Sequence, residues 1–375
     1  MGKLRSLFSL KPESPDLLHL DMLRVAACYF IVLVHFRINF LSFTDRPQRL
    51  FDIIEGFSVS VDLFFVVSGF VIAWVYRARL DTPGKYANFM RKRVARLIPL
   101  HWATLLFFVL VGLITSVTDF EPGKAVKYDW SCLVPNALLI QSWGVCGGPS
   151  FNTVSWSISA EMFLYFIYPL LFFVVTRTPL AYAAGLVALL AYLYLGGLEP
   201  FWVERTHELG VLRAVPGFAL GVFLFHYRER LAVIPASSAL MVAAMLLFLT
   251  GVFLEWHKGV LVLIAYSVAL FGAAADMRGY VPRWVRLLAP AGRLTYSLYL
   301  LHPIVQTVFL NVIGRKLLGL EGVMLTAWTL VGFGVAGVLS ILSLKLFEEP
   351  MRRWLAGSRS PRSPKADPRD ERFSI

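Results

Sequence analysis

The chain has 375 residues, with 36 basic and 24 acidic side chains and a formal net charge of +12. Charged residues make up 16% and hydrophobic residues 57%, and the mean hydropathy is +0.66. A soluble domain carries about 25% charged residues, so this composition excludes ordinary soluble, disordered, collagen-like and disulfide-scaffold chains.

An outer-membrane barrel is not expected either, because its strands alternate apolar and polar residues whereas these apolar runs are unbroken. What remains is an all-α, polytopic membrane bundle. A helix needs about 20 mainly apolar residues to cross a bilayer. In chain order such runs cover 19–40, 57–76, 99–118, 155–176, 180–197, 212–227, 233–254, 258–275, 294–313 and 323–347. The sixth is the weakest, being short and carrying Arg213 and Pro216. Met1–Ser14 is polar and is not expected to be a cleaved leader. Residues 1–355 therefore read as one membrane domain, and 356–375 as a disordered, solvated tail.

If the spans alternate, most of the 36 basic residues gather on one side. The positive-inside rule makes that side cytoplasmic, with both termini there and the chain in the inner membrane. The same rule accounts for the net charge, so no nucleic-acid partner is expected. Cys28 lies within the first run. Cys132 and Cys146 fall on the outer side, where a disulfide and two unpaired thiols are equally open.

A charge in hydrocarbon costs about 2.5–3.5 kcal/mol on insertion scales, so ionisable residues there mark function. Five stand out: Arg24, His35, Asp62, Glu161 and His302. Arg24 and His35 are eleven residues apart, which puts them on one helix face about 16 Å apart. Asp21, one turn before Arg24, is placed to pair with it. His35, Asp62 and Glu161 fall at a similar depth near the outer end of their runs. An imidazole beside a carboxylate has one tautomer fixed and its basicity raised, which suits a general base. Ser68 is almost two turns from Asp62, so Ser68-Gly69 reads as close helix packing rather than as a nucleophile. On the cytoplasmic side, Arg91, Arg93 and Arg96 form a basic loop before Pro99. Guanidinium forks match phosphate oxygens, so this loop and Arg24 make a seat for a polyphosphate.

These residues resemble the membrane acyltransferase 3 family of bacterial O-acyltransferases. The marks are Leu20-Asp21-Met22-Leu23-Arg24 followed by His35, which fits the family's R-X10-H pattern. Then come Ser60 to Phe70, Arg93-Val94-Ala95-Arg96-Leu97-Ile98-Pro99, Ser155 to Phe163, Thr295 to Pro303, and Phe347-Glu348-Glu349-Pro350. Met22 and Leu23 stand in a stretch where relatives usually have a small residue. The resemblance implies a ten-helix bundle without the fused esterase-like domain that some relatives carry. It implies transfer of an acyl group, acetyl by default, from cytoplasmic acyl-CoA to a hydroxyl at or beyond the outer face.

The family's essential pair maps onto Arg24 and His35, its basic loop onto Arg91, Arg93 and Arg96, and its Trp-Ser…Glu segment onto Trp156, Ser157 and Glu161. His35 is then the base, with Glu161 or Asp62 orienting it; an acyl-His35 intermediate is the variant left open. Tyr296, Tyr299 and His302 line the channel, contact the acceptor or pack. Acyl-CoA is a co-substrate, and no tightly bound cofactor or metal is expected. The acceptor is open among O-antigen or other surface polysaccharide, peptidoglycan, a secreted oligosaccharide and a macrolide, and lipid linkage fits the short outer loops. The rival function is a transporter or polymerase of lipid-linked glycan intermediates.

Overall fold

The computed structural model describes residues 10–43, 46–76, 80, 82–118, 128–198 and 200–356. The tail expected beyond Ala356 lies outside them. Every regular element among the described residues is helical. The principal helices are α1 (Leu18–Phe36), α2 (Ser60–Tyr76), α3 (Pro83–Val117), α4 (Trp156–Arg177) and α5 (Pro179–Leu195). They continue with α6 (Gly210–His226), α7 (Ser237–Phe253), α8 (Lys258–Arg278), the helical stretch α9 (Arg283–Leu317) and α10 (Gly322–Ser343). Seven helical stretches among the described residues, those containing α1–α4 and α8–α10, are long and apolar enough to cross a membrane. The other three have 17 residues each, about 25 Å at 1.5 Å per residue. All ten coincide with the apolar runs.

Lipid-facing stripes follow the helical period. On α3, Trp102, Leu106, Leu110, Leu113 and Val117 recur every three or four residues and all are exposed, which gives one outward apolar face. Inside the bundle the helices meet through small residues, because lipid supplies no hydrophobic drive for association and close packing must replace it. A methyl group on Gly69 of α2 would stand 2.2 Å from the Phe218 carbonyl oxygen of α6, and one on Gly221 would stand 2.1 Å from that of Val66.

The charges of the weakest run are compensated across this contact. Arg213 of α6 is 4% exposed, and its Nη2 donates to Asp62 Oδ2 at 2.7 Å while its Nε reaches both carboxylate oxygens. Nη2 also donates to the Ser58 carbonyl oxygen. Removing one partner of a buried pair leaves an uncompensated charge, at about 3–5 kcal/mol. Arg213→Ala is therefore expected to lower the thermal stability of the purified protein sharply. Arg213→Met combined with Asp62→Leu should recover most of the loss, and a single variant that melts like wild type would show that the pair contributes nothing.

α1 has no side-chain cap of its own. Asp276, near the end of α8, supplies one from 257 residues away, accepting the His19 N–H at 2.8 Å and the Leu20 N–H at 3.1 Å. Its Oδ1 also meets His19 Nδ1 at 2.8 Å, and Ser238 Oγ stands 3.1 Å from His19 Nε2. Despite this serine–histidine–aspartate order, the His19 side chain has no exposed surface. The set braces three helix ends by satisfying orphan N–H groups.

One expectation changes and one open alternative is decided. The basic stretch 91–99 is not a loop: α3 begins at Pro83, with the Thr82 hydroxyl accepting the Lys85 N–H, and continues past Pro99. Cys132 and Cys146 are joined in a disulfide between α3 and α4.

Candidate functional site

A cavity of about 810 Å³ opens among α1, α2, α3, α4 and α9. Along α2 it is lined from Val61 to Ile72, a rise of about 16 Å. Arg24, Arg93 and Arg96 line it, as do Ser157, Glu161, Tyr296 and Tyr299. Arg91 does not. It is exposed and donates to Asn88 Oδ1 at 2.9 Å. The helical form of this stretch is the reason: Arg93 and Arg96 are one turn apart on one face, and Arg91 lies about 200° around from Arg93.

Arg93 donates to the Tyr76 hydroxyl at 3.0 Å, and its guanidinium carbon lies 5.1–5.8 Å from the ring centroids of Tyr76, Phe89 and Tyr165. Those rings offer their electron-rich faces to a cation that the apolar surroundings would otherwise disfavour. Arg24 reaches Asp21 at 3.4 Å, as the spacing predicts. It also donates to Glu13 at 3.1 Å, and Arg96 donates to both oxygens of the same carboxylate. Glu13 precedes α1 and has no periodic pattern around it, so nothing local in the sequence marks it.

Glu161 accepts from the Ser68 hydroxyl at 2.6 Å and from the Tyr165 hydroxyl at 2.6 Å. Gly69 is the packing residue expected, but Ser68 belongs to the cavity wall. Ser157 donates to the Tyr299 hydroxyl at 2.8 Å, and the Tyr296 hydroxyl donates to the Leu97 carbonyl oxygen. Trp156 is outside the lining; it packs on Phe65 and under Arg213, whose guanidinium lies 5.3 Å from its ring.

The carboxylates expected beside His35 are held by other partners, Asp62 by Arg213 and Glu161 by Ser68 and Tyr165. Equal depth sets the height of a side chain but leaves its direction around the helix axis open. The group next to His35 is His302, with ring centroids 4.9 Å apart. His302 is fully buried, its Nδ1 is 3.2 Å from the Leu298 carbonyl oxygen, and its Nε2 has no hydrogen-bond partner. Gln306 donates to the His35 carbonyl oxygen at 2.7 Å. His35 does not line the cavity. Tyr299 does, and its ring is 5.9 Å from that of His302.

Comparisons with known proteins agree with this architecture. A family model described as an acyltransferase domain matches residues 17–345, from the start of α1 past the end of α10. The chain is also similar to a protein named acyltransferase MdmB from Streptomyces mycarofaciens. The two are 37% identical over 141 residues, 35% of this chain and 33% of that protein. The match thus spans about a third of the relative's length. No solved structure is a significant match. Since the family model takes in all ten principal helices, the chain belongs to the membrane acyltransferase 3 family.

Proposed function

We propose that the enzyme moves an acyl group, acetyl by default, from cytoplasmic acyl-CoA to a hydroxyl of a cell-envelope or exported glycan. The reading places it in the inner membrane with both termini cytoplasmic, which the basic bias of one side supports. The observation that carries the reading is the cavity itself. Arginines line the end near Arg24, the other end reaches Ser157 and Tyr299, and its length of about 16 Å equals the rise from Arg24 to His35. Such a space suits a flexible chain with a polyanionic head and a reactive thioester tip.

In this reading Arg24, Arg93 and Arg96 take the phosphates and the arm runs along α2. The thioester reaches His35 past Tyr299. His35 removes the proton of the acceptor hydroxyl, whose oxygen attacks the thioester carbonyl carbon. The carbon–sulfur bond then breaks, and the proton passes from the imidazolium to the departing thiolate. His302, rather than a carboxylate, is the group beside His35. Its unpartnered Nε2 is the acceptor that favours the protonated ring during transfer. Glu161, with Ser68 and Tyr165, forms a polar wall along the path of the arm.

Membranes containing the protein, supplied with acetyl-CoA labelled in the acetyl group, are expected to pass label to envelope glycan. Label that stays on CoA while glycan crosses or lengthens would instead identify a transporter or polymerase.

A further inference from the structure

The arginines assigned to phosphate are already engaged. Glu13 lies on the non-helical segment that leads into α1. Its carboxylate receives Arg96 through both oxygens and Arg24 at 3.1 Å. These are the forked N–H groups that a phosphate needs, and carboxylate and phosphate compete for them in the same geometry. Glu13 and Arg96 also line a second space of about 410 Å³ that adjoins the first and contains Arg293 and Arg352. The second space also holds Glu348 and Glu349, the latter paired with Arg293 at 2.6 Å, so the carboxylate stands at the junction of the arginine-rich cavity and a charge-balanced one, on the arginine the two share.

We propose that Glu13 is an intramolecular stand-in for the polyphosphate of the acyl donor, a latch that closes the arginine seat until a nucleotide phosphate displaces it. The inference rests on the acyl-CoA reading and adds to it a competition within the chain. Burial by itself raises the Glu13 carboxyl, but the guanidinium groups of Arg96 and Arg24 outweigh it and hold the group well below the usual carboxylate range. The latch thus stays ionised and closed at any ordinary working pH, and another anion is what opens it. With Glu13 in place Arg96 is not left as an unpaired cation, a state that is strongly destabilising where burial is high, and Arg24 keeps a second carboxylate beside Asp21. Displacement exchanges one set of charge-assisted hydrogen bonds for another, so the seat is never empty. The cost is affinity, because a ligand binds weaker by the factor to which the closed form is favoured.

The test uses the full chain in detergent and unacylated CoA as the probe. Glu13→Gln is expected to bind CoA about ten- to a hundredfold more tightly than wild type, the range of one set of charge-assisted hydrogen bonds. Without CoA it should melt at a lower temperature than wild type, and CoA should raise its melting temperature by more. Asp16→Asn removes the same charge from the same segment outside the seat and should leave affinity unchanged. Equal or weaker CoA binding by Glu13→Gln, or an equal gain from Asp16→Asn, would overturn the latch while leaving the donor assignment intact. Failure of both wild type and Glu13→Gln to bind millimolar CoA would remove the donor assignment and the latch with it.

Discussion

His35→Ala is expected to reduce acyl transfer by about 10²–10⁴-fold, the usual contribution of a positioned general base, while CoA binding stays within about twofold of wild type. The separation follows from the architecture. His35 lies about 16 Å along α1 from Arg24 and outside the cavity lining, so the proposed phosphate seat does not depend on it. Its carbonyl oxygen is held by Gln306 through the backbone, and that bond survives the substitution. Insertion and folding should therefore persist. Turnover near wild type in purified membranes would remove His35 from the chemistry. His302→Gln is the informative companion. If His302 stabilises protonated His35, the variant should shift the pH profile of kcat as well as lower its plateau. A purely structural loss would lower activity equally at every pH.

Neutralising Arg93 and Arg96 together, as Arg93→Gln with Arg96→Gln, is expected to weaken acyl-CoA affinity by about 10²–10⁴-fold. Each charge-assisted hydrogen bond is worth about 1.5–3 kcal/mol, and two are lost. The acceptor KM should change by less than about threefold. The asymmetry is the point: these residues share one face of α3 and the arginine end of the cavity, whereas acceptor chemistry is assigned to the end near Ser157 and Tyr299. Arg91→Gln is the control. Its side chain is exposed and bonded to Asn88, and it should leave both constants near wild type. Equal losses for donor and acceptor in the double variant would give Arg93 and Arg96 a structural role, through Tyr76 and the surrounding rings.

The expected substitution pattern separates two kinds of buried charge in this bundle. Arg213 and Asp62 satisfy each other at nearly complete burial, and their removal acts on stability. Arg24, Arg93 and Arg96 face a cavity, and their removal is expected to act on binding. Both kinds look alike in a hydropathy plot. A charge in an apolar run marks a site only when its partner is missing from the protein or exchangeable.

The apolar helices of the bundle were legible from sequence, because apolar run length is a local quantity set by bilayer thickness. The Asp21–Arg24 pair and the common face of Arg24 and His35 were legible too, since helical periodicity alone determines them. The family was legible from ordered motifs. What the sequence could not decide is which side chains meet across helices. Arg213 finds Asp62 over 151 residues, Arg96 finds Glu13 over 83, and Asp276 caps α1 over 257. Each pairing depends on how helices rotate about their axes to interlock small residues such as Gly69 and Gly221. That rotation is fixed by close packing between distant segments. It turned Asp62 away from His35, set His302 in the place expected for a carboxylate, and left Arg91 outside the cavity lining.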